Sequence, residues 1–277
     1  MKAIDAHQHF WKYDPVRDNW ITNDMAIMRK DFLPDDLALV LKKNNVNGSV
    51  VVQSDQSEEE NIFQLKNADQ NDFIKGIVGW VDFQTDNIEE RLAYYSSFEM
   101  MKGFRHVLQG EPQRDLMLTS QFVNGVSKLQ RFGFTYDILI FPDQLQYIPQ
   151  FVKLFPDQKF VLDHIAKPNI REKGIDEWEK DIRPLAQFEN LYCKISGMVT
   201  EADWHNWQLD DFTIYLDVVV NTFGMKRIIY GSDWPVCLLA GSYEKIVDIV
   251  KKYFSSFSKN EQNLFFGCNA TLFYNLM

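Results

Sequence analysis

Short apolar runs alternate with longer amphipathic stretches along the whole chain. Eight runs rich in Val, Ile, Phe and Tyr fall at residues 3–9, 49–53, 76–82, 103–107, 134–140, 160–164, 191–196 and 227–233. Runs of this length and composition read as buried parallel strands. Helical patterns fill the gaps. Residues 34–43 place Leu37, Val40 and Leu41 on one face, with Pro34 suited to the first turn. Ser57, Glu58, Glu59 and Glu60 predict a capping box for the next helix, which carries Ile62, Phe63 and Leu65. Asp86, followed by Glu89, marks another helix start. Stretches 121–131, 142–155, 175–188, 210–223 and 242–254 continue the series. Pro149 and Pro184 fall inside two of them and predict kinks or early stops.

Strand then helix, eight times over, predicts an α/β fold, a (β/α)8 TIM barrel spanning residues 1–277 as a single domain. An open doubly wound sheet is the competing arrangement. It is weakened because no GxGxxG or GxxxxGK[ST] follows the first strand. The 277 residues suit a barrel, which typically needs about 250. A net charge of −10 and no basic stripe argue against nucleic acid as a partner. Cys193, Cys237 and Cys268 form neither a CxxC nor a disulfide framework, which suits a reducing cytoplasm. The opening MKAIDAHQHF lacks the apolar core of a signal peptide. No apolar run approaches the roughly 18 residues of a membrane span.

In such a barrel the chemistry lies at the carboxyl ends of the strands. Read in order, those ends present His7 and His9, then Gln53, Trp80 with Asp82, and Arg105 with His106. Asp163-His164 follows, with Lys167 just after, then Lys194 and Ser196, and finally Asp233 in Gly-Ser-Asp-Trp-Pro. Four of the five histidines therefore sit at expected strand ends. His7 and His9, at i and i+2, should project from one face of a strand, with Asp5 one step deeper on that face. Paired neutral imidazoles on a rigid strand suit a metal such as zinc. Asp163, one position from His164, should point away from the His164 face.

The motifs DAHQHFW, KGFRHVLQ, FVLDHIAKP, CKISGMVTEADW and YGSDWPVC resemble the amidohydrolase superfamily. Within it they resemble the amidohydrolase-related branch of sugar lactonases acting on L-fuconolactone or L-rhamnonolactone. The similarity runs from residue 3 to the GCNATLFYNL tail. It implies a metal-dependent-hydrolase barrel with His7, His9, His164 and Asp233 as the central group and one divalent metal, zinc, among them. The chain departs from binuclear members: Arg105 and His106 replace a bridging Lys or Glu, and the fifth strand ends in Ile140-Phe141 with no histidine. Some relatives in this branch do not require a metal, which leaves metal dependence open.

Lactone hydrolysis needs water aimed at the carbonyl, a base for its proton and a positive group for the oxyanion. Asp233 is the expected base, with His164 beside it. Of Arg105 and His106 only one should face the barrel axis, and either could donate to the carbonyl oxygen. Gln53, Lys167, Trp11, Trp80 and Trp204 are candidate contacts to a sugar, since aromatic faces suit its C–H faces. Few cations surround the site, which favours a neutral, hydroxylated lactone over a dicarboxylate one. Two other classes remain as expectations to test: a metal-dependent decarboxylase or amide hydrolase on the same barrel, and a non-catalytic sugar-binding barrel.

Overall fold

A computed structural model describes residues 3–277. The first two residues, part of the stretch read above as lacking an apolar targeting core, lie outside the described residues. The eight strands are β1 (Ala3–Gln8), β2 (Val46–Val52), β3 (Ile74–Gly79), β4 (Met101–His106), β5 (Thr135–Ile138), β6 (Phe160–Leu162), β7 (Leu191–Ile195) and β8 (Ile228–Tyr230). They form one sheet in sequential order, with all seven ladders parallel. The seam between β8 and β1 is joined just beyond the strand ends. Asp233 N donates to His7 O at 2.8 Å, and His9 N donates to Trp234 O at 2.7 Å. Three expected site residues, His7, His9 and Asp233, therefore also close the barrel.

The outer layer contains α1 (Pro34–Asn44), α2 (Glu58–Gln70), α3 (Ile88–Tyr95), α4 (Ser120–Val126), α5 (Ile148–Lys153), α6 (Asp176–Ile182), α7 (Asp210–Phe223) and α8 (Tyr243–Tyr253). The prolines act as expected. A tight turn over Pro142–Tyr147 precedes α5, whose second residue is Pro149. α6 stops at Ile182, ahead of Pro184. The capping box at α2 is half formed. Ser57 Oγ accepts from Glu60 N, but the Glu60 carboxylate turns back to accept from Ser54 N and Asp55 N. It thereby ties down the loop after β2.

Two short helices, α9 (Lys259–Asn263) and α10 (Asn269–Phe273), follow the eighth repeat and were not expected from the periodicity. Ala270, Phe273, Tyr274 and Leu276 pack against Ile4, Ala6, Val50, Val52, Val78, Val161 and Ile229. Side chains from β1, β2, β3, β6 and β8 can meet in one cluster only inside the barrel. α10 therefore plugs the floor of the barrel. No helix among the described residues is long and apolar enough to cross a membrane.

The β1 cluster residues correct one expectation. Ile4 and Ala6 face the barrel interior, so Asp5 faces outward. Its carboxylate accepts from Ser232 N at 2.8 Å and from Tyr243 OH of α8 at 2.9 Å. A register irregularity between Asp5 and Gln8 then resets the alternation. His7 and His9 point inward beyond it, and Gln8 points outward, donating to Ser49 Oγ at 3.1 Å. Asp5 is buried, but it belongs to the packing between barrel and helices.

Candidate active site

The barrel mouth holds a cavity of about 440 Å³ lined on its polar side by His9, Gln53, Arg105, His164, Lys167 and Asp233. Trp11, Trp20, Val107, Leu139 and Val236 supply its apolar side. His7 lies directly beneath, fully buried, with its ring centroid 4.4 Å from that of His164 and 5.0 Å from that of His9.

The loop after β6 departs most from regular geometry. His164, Ile165, Ala166 and Lys167 all have positive φ, between 49° and 58°. Each residue in that left-handed region costs about 1–2 kcal/mol, and a β-branched Ile among them marks strain. The turn bends the chain so that Asp163 and His164 both enter the site, since strand alternation ends at Leu162. The expectation that Asp163 points away is therefore corrected. Its carboxylate is fully buried, 3.3 Å from His7 Nδ1, 3.0 Å from Arg105 Nη1 and 3.1 Å from Lys194 Nζ. Gly197, itself at φ +61°, leaves room for the His164 ring: a Cβ there would lie 2.4 Å from His164 Nδ1.

Asp233 sits at φ +61°, a conformation Asp tolerates better than most residues. Its Oδ1 is 3.2 Å from His9 Nε2 and 3.8 Å from His7 Nε2. His9 Nδ1 lies 2.8 Å from the carbonyl of Val52. A carbonyl only accepts, so Nδ1 carries a proton. His9 Nε2 and the carboxylate of Asp233 then present lone pairs to one another, an arrangement that calls for a shared proton or cation. Burial pushes the His164 ring down to about 4 and holds His7 well below its ordinary value. At neutral pH both rings are uncharged and can offer a lone pair. Burial opposes the charge on Asp233, but the pull of His164 and the close contact with His9 outweigh it and hold the carboxyl below the usual range.

Donor atoms of His7, His164 and Asp233 lie within 4.8 Å of one another. His164 Nδ1 is engaged with Ser196 Oγ at 2.9 Å, which leaves its Nε2 free. Two neutral imidazoles and one carboxylate, all buried, are a donor set that fits zinc. His9, expected as a fourth ligand, is not among those three but adjoins them through Asp233.

The other expected residues divide. Arg105 faces the axis: its guanidinium donates to Gln53 O and Oε1 and to Asp163 Oδ2. His106 faces the helices instead, a correction with a simple cause, since adjacent strand residues take opposite faces. Its ring accepts from Trp80 Nε1 at 3.3 Å and meets Glu111 Oε1 at 2.8 Å. Trp80 is thereby drawn off the cavity as well. Trp204 donates to Thr200 O at 2.9 Å and packs on the core, outside the cavity lining. Trp11 does line the cavity, and its indole N–H donates to Lys30 O. Lys167 lines it too, 3.5 Å from Glu201 Oε1.

Three residues were not assigned a role from the sequence. Trp20 lies on the long loop after β1, and nothing in its local pattern distinguishes it. Asp137 and Lys194 form a fully buried pair inside the barrel. A single charge within an apolar strand, Tyr-Asp-Ile on β5 and Cys-Lys-Ile on β7, was the available signal.

The chain matches the amidohydrolase family over residues 4–276. It is 35% identical to an L-fucono-1,5-lactonase of Burkholderia multivorans, over 99% of this chain and 96% of that protein. An L-fucono-1,5-lactonase of Burkholderia ambifaria is 32% identical over 87% of this chain and 82% of its own length. A crystal structure of an amidohydrolase from Burkholderia multivorans with bound zinc superposes with a TM-score of 0.97. It is 34% identical, and the match covers 100% of both chains.

Proposed function

The chain belongs to the amidohydrolase family, and from that premise we propose that it is a lactonase opening a neutral sugar-acid lactone to the aldonate. The observation that carries this reading is Asp233, a buried carboxylate at the cavity floor held beside two neutral imidazoles. Kinship to two L-fucono-1,5-lactonases, over 99% and 87% of this chain, supports the substrate class. The cavity's two cationic residues, Arg105 and Lys167, are already paired with Asp163 and Glu201. No spare arginine is left for a second carboxylate, which favours a hydroxylated, uncharged ring.

His7, His164 and Asp233 would hold one zinc ion, with His9 as their neighbour across Asp233. When bound, such an ion supplies polarisation of the carbonyl and acidification of water. The chain's own groups do the rest. Asp233 takes the proton of the attacking water as the C–O bond to C1 forms. Arg105, at the cavity wall, lends its positive charge to the oxygen on which negative charge develops. The ring C–O bond then breaks, and Asp233 returns the proton to the departing ring oxygen. The carboxylic acid produced ionises in water and releases one proton per turnover. Trp11 and Trp20 offer aromatic faces to the sugar's C–H groups. Three unpaired cysteines suit a reducing compartment, and we place the enzyme in the cytoplasm.

Proton release tests the reading. Wild type and Asp233→Asn are compared on L-fucono-1,5-lactone and on L-rhamnono-, D-arabinono- and L-galactonolactones, each corrected for spontaneous opening. The expected result is turnover that the substitution abolishes. No turnover of any lactone by the wild type, zinc supplied, would overturn the proposal. Equal turnover by both would keep the substrate class and remove Asp233 from its role.

A further inference from the structure

Most polar side chains of the cavity already have protein partners. His9 is held by the Val52 carbonyl, His164 by Ser196, Gln53 by Arg105 and Lys167 by Glu201. Asp55 differs. It lines the same cavity from the loop after β2. Among the described residues, the hydrogen bond it makes runs from its backbone N–H to the Glu60 carboxylate, and its own carboxylate makes none. Arg17 is close enough to feel that charge, but its guanidinium is given to Asp18 through two hydrogen bonds of 2.8 Å.

The backbone beneath this carboxylate is fixed. Glu60 of α2 is buried and accepts from both Ser54 N and Asp55 N. Gln64 Nε2 holds the Glu60 carboxylate in turn at 3.1 Å and donates to Phe10 O at 2.8 Å. On the far side, Gln56 Oε1 accepts from Val107 N at 2.8 Å, which ties the loop to the end of β4. A partly buried side chain on a backbone clamped from both sides is held ready for a ligand. Trp11 and Asp55 also line a second hollow of about 430 Å³ beside the first. They therefore stand together on the ridge between the two, with the Trp20 ring 6.3 Å from that of Trp11, edge to face.

A carboxylate has two oxygens, and both only accept. Two adjacent hydroxyls on a ring complement it, one to each oxygen, while an aromatic side chain nearby covers the ring's C–H face. The same carboxylate repels an anionic ring. We propose that Asp55 is the specificity-determining residue of this cavity, accepting hydrogen bonds from two adjacent ring hydroxyls of the lactone while Trp11 and Trp20 pack on its apolar face. Resting on the lactonase reading of the cavity, this assignment narrows the substrate to a ring with neighbouring hydroxyls, over an unsubstituted or an anionic one. Asp55 holds the ring and takes no part in the proton transfers. Its contacts are alike in the ground state and the transition state, so their loss raises KM and spares kcat.

Two readouts test this on the full chain with zinc supplied. Wild type, Asp55→Ala and Asp55→Asn are first compared on L-fucono-1,5-lactone and on δ-valerolactone, which has the ring without hydroxyls. On the hydroxylated lactone Asp55→Ala should raise KM about 10–100-fold, the range for hydrogen bonds to a charged group, with kcat within about twofold. On δ-valerolactone it should match the wild type. Calorimetry then measures binding of the 1,5-lactams of L-fuconic and L-rhamnonic acids, which keep the hydroxyls but resist opening, and of δ-valerolactam. The wild type should favour a hydroxylated lactam over δ-valerolactam by about 10-fold or more. Asp55→Ala should erase that preference, and Asp55→Asn, with one acceptor left, should fall between. A KM rise of equal size on both lactones marks a structural role and overturns the proposal. So does an unchanged KM on the hydroxylated lactone, or a wild type that binds neither hydroxylated lactam more tightly than δ-valerolactam. If Asp55→Ala does not fold, a folded Asp55→Asn that keeps the full wild-type preference overturns it. A chain that opens no lactone but shows the lactam preference, lost with Asp55, would sink the hydrolase reading alone.

Discussion

The two ends of this barrel are built from the same eight strands and have opposite chemistry. At the floor, Ile4, Val50, Val78, Val161 and Ile229 meet Phe273 and Leu276 in an apolar cluster closed by α10. At the mouth, His9, His164, Arg105 and Asp233 surround an open cavity. Strand residues make the floor, where alternation is regular and burial of apolar area supplies the stability. At the mouth, several functional side chains sit where alternation breaks: at the irregularity in β1, in the left-handed turn after β6, and at Asp233 beyond β8. Strain collects where function is, and the opposite end holds the scaffold rigid enough to bear it.

That contrast breaks first at Asp233. Asp233→Asn should lower kcat on the preferred lactone by about 10²–10⁴-fold with little change in melting temperature. A large fall in stability with retained turnover would reverse the assignment of the two ends. Phe273→Ala is the mirror experiment. It should remove about 3–5 kcal/mol of stability, read by denaturant unfolding, while the folded fraction keeps its kcat. A catalytic loss without destabilisation would show that the plug is part of the site.

Acid sharpens the comparison. Burial lowers His164 to about 4, so the ring stays neutral until the pH falls through that value. Protons should then begin to displace zinc only near pH 4, against about 6.5 for an ordinary imidazole. Equilibrium dialysis with zinc between pH 4 and 7 measures this, and a release midpoint near 6 would contradict it. Smaller effects map the boundary of the site. Trp20→Ala should raise KM by about fivefold, the equivalent of about 1 kcal/mol of aromatic contact. His106→Gln should leave kcat/KM within about twofold, because its ring is held by Trp80 and Glu111 outside the cavity. A loss as large as that of Asp233→Asn would return His106 to the catalytic group.

Much of this was legible in the chain. Eight apolar runs separated by amphipathic stretches determined the strand order, because hydrophobic periodicity is a local property and a parallel barrel repeats one unit. The positions of His7, His9, His164 and Asp233 followed, since strand ends are where a barrel displays polar side chains. Alternation also implied that only one of Arg105 and His106 faces the axis. Tertiary structure decided the rest. His7 and His164 turned inward beside Ala6 and Asp163 because a register irregularity and four residues of left-handed backbone override the period of two, and packing alone holds such conformations. The pairing of Asp137 with Lys194, and the reach of Tyr274 up from α10, join residues 57 and 137 positions apart. Charges buried that deeply must find partners wherever the closed barrel brings them, and no local pattern records which partner that will be.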